Sequence, residues 1–191
     1  NNDFCLKAVL LDCLHGLCAL HGQHVVHMDV KLDNMLITDD KHGVLCDYEQ
    51  TMPMGDIVPG SVGTAFAMPP EGAVLRDKSV AELHAHPSWD VWGFGVAMYE
   101  GITGVDFMTV DCHEEHYKII CDPECVRKKI NDVHVAGTTE EQCTFRELLS
   151  CCLAVKPTDR RSCEELIQHS YWMSIPIITR YELQRLCERP L

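Results

Sequence analysis

The chain has 191 residues, with 16 Lys and Arg against 29 Asp and Glu, for a formal charge of −13. Hydrophobic residues make up 46% and charged residues 24%, a globular balance in a length suited to one ordinary domain. The acidic balance argues against a general nucleic-acid binder and against anionic membrane surfaces, both of which call for a basic face. No apolar run approaches the roughly 18 to 20 residues of a membrane span. The opening Asn1-Asn2-Asp3 holds neither a Met nor the basic start of a signal peptide. Twelve cysteines are present without a CxxC pair, several inside apolar runs. That pattern reads as reduced core residues and an intracellular, cytoplasmic location.

In chain order, Leu6, Leu10, Leu14 and Leu17, with Phe4 and Leu11 alongside, predict a helix over 3–21. Val25-Val26, Met35-Leu36-Ile37 and Val44-Leu45-Cys46 predict three short strands in one small hairpin-like sheet. From Thr51 to Pro70 the chain is rich in Gly, Pro and Met and reads as a long functional loop. Residues 90–102 are apolar on nearly every face and predict a helix in the middle of the core. Three more helix starts follow as capping boxes: Asp111 with Glu114, Thr144 with Glu147, and Ser162 with Glu165. The expected class is mainly α (α+β), a helical core with a small β-hairpin sheet.

The chemistry concentrates in His27-Met28-Asp29-Val30-Lys31-Leu32-Asp33-Asn34, which lies between two predicted strands. At this spacing an Asp, a Lys and an Asn can converge on one point from a single loop, and Asp47 closes the third strand. A carboxylate and an amide oxygen are hard ligands suited to Mg²⁺. A second carboxylate can accept a hydroxyl proton, and a lysine can neutralise a phosphoryl group. Together these are the parts of phosphoryl transfer.

The sequence resembles the eukaryotic protein kinase family of Ser/Thr type, in its C-terminal lobe. The resemblance rests on five ordered motifs: residues 27–34 as the catalytic loop; Asp47-Tyr48-Glu49 in place of Asp-Phe-Gly; Gly63 to Glu71 as the end of the activation segment; Asp90-Val91-Trp92-Gly93-Phe94-Gly95; and Lys156-Pro157-Thr158-Asp159-Arg160-Arg161. It implies a single kinase-like lobe over 1–191, with catalytic loop 27–34 and activation segment 47–71. It also implies ATP and Mg²⁺ as cofactors and a protein Ser/Thr hydroxyl as substrate.

By position, the resemblance makes Asp29 the base and has Lys31 contact the transferred phosphate. Asn34 and Asp47 would hold Mg²⁺, Leu36 would floor the adenine, and Thr64 would position the peptide. Glu71 and Arg160 would form a buried bridge, while His27, Tyr48 and Asp90 would anchor the catalytic loop. Asp33 and Glu100 match positions that meet Arg in basophilic members, so a basic substrate is expected.

Several features depart from the family pattern. Met28 replaces the usual Arg, removing the ordinary receiver of an activation-loop phosphate. Glu49 stands where a Gly permits special backbone angles. No Gly-rich loop, strand lysine or partner glutamate helix precedes the motifs. The N-terminal lobe, or a partner covering its docking surface, is therefore expected as a further component. The alternative function is a catalytically weak, pseudokinase-like interaction module. A third, zinc-stabilised adaptor would draw on Cys112, His113, His116, Cys121 and Cys125, whose spacings match no standard zinc site.

Overall fold

The computed structural model describes residues 2–76, 80–108, 112–135 and 137–175. Helix α1 spans Asn2–Gly22 and buries Leu10, Leu11, Leu14 and Leu17. It packs against a central helix, a short strand and the last α-helix described. Its end runs into His24, whose φ of 58° turns the chain towards the first strand.

Strand β1 (Val25–Val26) pairs antiparallel with β4 (Met52–Pro53), and β2 (Met35–Ile37) pairs antiparallel with β3 (Gly43–Leu45). The three expected strands thus divide between two sheets, because β1 finds its partner inside the segment that reads as loop. The β2–β3 hairpin lies directly on α1. A Cβ on Gly43 would stand 2.2 Å from the Val9 carbonyl oxygen, and the Gly43 N–H donates to Asp12 Oδ2 at 2.8 Å.

Helix α2 (Pro70–Arg76) closes the segment that follows β4. Helix α3 (Ser88–Thr103) is buried from Ser88 through Tyr99, as expected of a helix apolar on every side. It ends at Gly104, left-handed at φ 70°, whose N–H returns to Glu100 O at 2.8 Å.

Helices α4 (His113–Ile120), α5 (Pro123–Asn131), α6 (Thr139–Cys152) and α7 (Cys163–Ile167) follow. The Ser162–Glu165 capping box starts α7 as its sequence predicts. Helix α6 begins earlier than expected, on a Thr138–Glu141 box. Thr144 lies inside it, with its hydroxyl bonded back to Glu140 O at 3.0 Å. Cys112 caps α4 without a side-chain bond, and Asp111 lies outside the described residues. Helix α5 is an addition to the expectation, opened by Asp122 accepting from Glu124 N at 2.9 Å.

The principal core joins α1, α3, α5, α6 and α7 around Trp92, Phe94, Phe145 and Trp172. A second cluster of Val26, Met28, Val58, Met68, Ala85 and Trp89 backs the catalytic loop and the segment after β4. No helix among the described residues is long and apolar enough to cross a membrane. Cys13, Cys152 and Cys163 are buried thiols.

Candidate active site

Residues 27–34 run from β1 to β2 through a 3-10 turn at Leu32–Asn34. Asp29 is the hub of this loop and is only 3% exposed. Lys31 Nζ donates to its Oδ2 at 2.7 Å and to Thr64 Oγ1 at 2.7 Å. Asn34 Nδ2 donates to the Asp29 backbone oxygen at 2.8 Å and to Oδ2 at 3.2 Å. Thr64 reaches the other oxygen, Oδ1, through its N–H at 3.0 Å and its hydroxyl at 2.7 Å. Burial pushes the Asp29 carboxyl up, but the bonds from Lys31 and Thr64, the Lys31 charge and Asn34 outweigh it and hold it below its ordinary value. Four of the expected residues, Asp29, Lys31, Asn34 and Thr64, therefore meet at one carboxylate.

The loop is fastened from below by Asp90, fully buried at the start of α3. Its Oδ2 accepts from His27 N at 2.7 Å and its Oδ1 from Met28 N at 2.8 Å. His27 Nε2 lies 3.1 Å from Cys46 O, which ties the loop to the strand that leads to Asp47. Met28 takes a left-handed φ of 69° in a fully buried setting. Trp89 Nε1 holds its carbonyl at 3.0 Å. A β-carbon on Gly93 would stand 2.5 Å from the Val30 oxygen, so α3 touches the loop backbone itself.

Asp47 is exposed and left-handed, with φ 61° and ψ 70°. Glu49 falls in the 3-10 turn Tyr48–Gln50 and is absent from the left-handed positions, so the unusual backbone angle rests on Asp47 instead. Tyr48 lies tilted against His27, with ring centroids 5.2 Å apart and planes at 50°, yet is 48% exposed. Leu36 and Val44, partners across the β2–β3 pair, share one exposed apolar face of the hairpin, and Ile37 is exposed on the other.

The Asn34 amide nitrogen faces Asp29, which leaves its oxygen, together with the exposed Asp47 carboxylate, as hard donors. That set fits Mg²⁺, which uses one or two carboxylates plus phosphate and water oxygens rather than an all-protein cage. Among the described residues, no group of three His, Cys, Asp or Glu could hold a metal ion by itself. The cysteines and histidines around α4 accordingly assemble no zinc cage there.

The segment 47–71 is held at several points. Gly63 N–H donates to Gln50 Oε1 at 2.6 Å. Arg76 Nη2 donates to the Val62 and Gly63 oxygens at 3.3 and 2.9 Å. Val58 N–H reaches Leu83 O at 2.8 Å. At its end, Glu71 receives Arg160 Nη1 and Nη2, each at 2.7 Å. Gln50 and Arg76 carry no motif that would mark them in the sequence, since both act on backbone groups brought near only by folding.

Beside Asp29 opens a cavity of about 420 Å³ lined by Lys31, Asp33, Thr64, Phe66, Glu100 and Asp106, among others. Asp33 and Glu100 both line it, and Asp106 joins them. Burial raises the Glu100 carboxyl, the Phe107 N–H lowers it, and Asp106 and Asp33 raise it further.

A family model described as a protein kinase domain matches residues 3–172. The serine/threonine-protein kinase sid1 of Schizosaccharomyces pombe is 30% identical over 193 residues, covering 95% of this chain and 37% of that protein. The serine/threonine-protein kinase PAK 1 of Mus musculus is 30% identical over 87% of this chain and 28% of its own length. The serine/threonine-protein kinase PknL of Mycobacterium tuberculosis is 31% identical over 80% and 36% respectively. The chain thus spans about a third of the length of these curated relatives.

Proposed function

This chain belongs to the protein kinase domain family, and on that premise we propose that it transfers the ATP γ-phosphate to a Ser or Thr hydroxyl of a protein with Mg²⁺. The observation that carries this reading is the Asp29 carboxylate, held below its ordinary value while Lys31, Asn34 and Thr64 surround it. An ionised carboxylate at neutral pH is ready to accept the proton of an attacking hydroxyl.

Its two oxygens already receive four donors, which fills their usual capacity. A substrate hydroxyl therefore has to displace one of them. Lys31 is the partner suited to leave, because its side chain is 23% exposed and its stem is flexible. Swinging from Asp29 towards the cavity, its ammonium would neutralise phosphoryl charge as the hydroxyl takes its place. Thr64 would stay on Oδ1 and keep the carboxylate oriented. Asn34 and Asp47 would hold Mg²⁺, which supplies neutralisation of phosphate charge when bound, and Leu36 would lie under the adenine.

The carboxylates of Asp33, Glu100 and Asp106 suit a basic protein substrate. The apolar face of Leu36 and Val44 suits cover by an N-terminal lobe or by a partner. The second reading, a pseudokinase-like interaction module, is favoured by the complete internal pairing of Asp29, which needs no substrate to be satisfied. The test is phosphotransfer from Mg-ATP to Ser, Thr and Tyr peptides by the protein at its natural length. Metal-dependent labelling of Ser or Thr peptides supports the kinase; Mg-ATP binding and transfer both absent would support the module.

A further inference from the structure

We propose that Cys163 and His21 are positioning residues that set the catalytic loop through Asp90. The proposal deepens the kinase reading and rests on it for its link to rate. Three elements meet at this point: the last turn of α1 at His21, the first turn of α3 at Asp90 and the first residue of α7 at Cys163. All three residues are buried, at 8%, 0% and 1% exposure.

Asp90 receives three N–H groups. His27 N and His21 Nε2 meet Oδ2 at 2.7 and 2.8 Å, and Met28 N meets Oδ1 at 2.8 Å. An ionised carboxylate only accepts, so His21 must donate through Nε2. In the neutral ring, Nδ1 is then an acceptor on a side chain that is only 6% exposed. Cys163 Sγ lies 3.4 Å from that nitrogen. Burial raises the Cys163 thiol well above its ordinary value, with Asp90 adding to the effect, so the sulfur keeps its proton and donates it. The chain of bonds runs from Cys163 S–H to His21 Nδ1, from His21 Nε2–H to Asp90, and from Asp90 to the two amides that precede Asp29.

The consequence falls on Met28, whose left-handed backbone persists only while its surroundings over-determine it. Removing the thiol leaves Nδ1 as an unpaired buried acceptor. The ring then gains freedom to change tautomer or turn over, and Asp90 loses a fixed third donor. The effect reaches the site as a looser Met28–Asp29 backbone rather than as a lost contact to substrate.

The experiment compares wild type, Cys163→Ala and Cys163→Ser in the protein at its natural length. Imidazole nitrogen NMR reads the His21 tautomer, hydrogen exchange reads the His27 and Met28 amides, and peptide kinetics read kcat and KM. Wild type and Cys163→Ser are expected to hold one Nε2–H tautomer and slow exchange. Cys163→Ala is expected to mix tautomers, to exchange those two amides about threefold to tenfold faster, and to lower kcat comparably with KM unchanged. An Ala variant with wild-type tautomer and exchange overturns the proposal. So does a loss spread over the whole chain that Ser does not restore. A wild-type protein without phosphotransfer would defeat the kinase reading, while tautomer and exchange would still decide whether the thiol positions the loop.

Discussion

Arg160 and Glu71 meet in a two-armed ion pair, with both nitrogen–oxygen separations at 2.7 Å. The remaining donors of Arg160 go to the backbone oxygens of Ala154, Ser88 and Val155 at 2.8, 2.9 and 3.2 Å. One side chain thus joins the end of segment 47–71 to the start of α3 and to the stretch between α6 and α7. Its side chain is 0% exposed and that of Glu71 12%, so removing one partner strands a buried charge. Glu71→Ala should cost about 3–5 kcal/mol of unfolding free energy, measured by urea titration. A loss below about 1 kcal/mol, the range of an exposed pair, would contradict this role.

Gly93 faces the Val30 carbonyl, where a β-carbon would approach to 2.5 Å. The obstacle is backbone and cannot rotate aside. Gly93→Ala should therefore destabilise by about 1–3 kcal/mol as an overpacked contact, despite the better helix propensity of Ala. Thermal melting measures the loss, and an unchanged or raised midpoint would show that α3 and the loop have room to separate.

His116 is 1% exposed, and both its ring nitrogens lack a hydrogen-bond partner. It lies edge-on to Phe66 with ring centroids 5.1 Å apart, which joins α4 to the segment before α2. Burial, aided by His113, pushes its value down to about 4 from 6.5. The unfolded chain thus binds this proton first as pH falls, so stability drops between roughly pH 6.5 and 4. His116→Phe should flatten that part of the stability–pH curve and raise the neutral melting temperature. An acid slope equal to that of wild type would place the sensitivity elsewhere.

Asp33, Glu100 and Asp106 line one side of the cavity beside Asp29. Exchanging Glu100 for Gln and Asp106 for Asn should raise KM for an Arg-bearing peptide about tenfold or more, with kcat for a neutral peptide unchanged. An equal change for both peptides would remove charge recognition from this cavity.

The parts legible in the sequence are those encoded locally. Helix α3 announces itself by apolar residues on every face, and residues 27–34 place Asp29, Lys31 and Asn34 within a single loop. Thr64 joins them across a long sequence separation, and its place was readable only through the ordered motif around Gly63. The β1–β4 pairing was hidden because two-residue strands offer no alternation to detect. Helix α5 was hidden because Val126 and Ile130 are its only buried residues on an otherwise polar helix. Gln50, Arg76 and His21 act on groups far away in sequence, so their residue types alone gave no signal. The left-handed angle expected to trouble Glu49 sits on Asp47, one of the residue types that tolerates it.

The folded Asp29 carboxyl titrates below its ordinary 3.8. Its contribution to stability is therefore present above the unfolded value and lost as pH falls through the folded one. The measurement that tests the central claim most directly is single-turnover phosphotransfer from Mg-ATP by the protein at its natural length, wild type against Asp29→Asn, with Mg-ATP affinity measured in parallel. We expect the rate to fall by about 10²–10⁴-fold, with nucleotide affinity retained and no rate change from an Asp29 titration between pH 6 and 8. Equal rates for the two proteins would contradict the assignment of Asp29 as the proton acceptor.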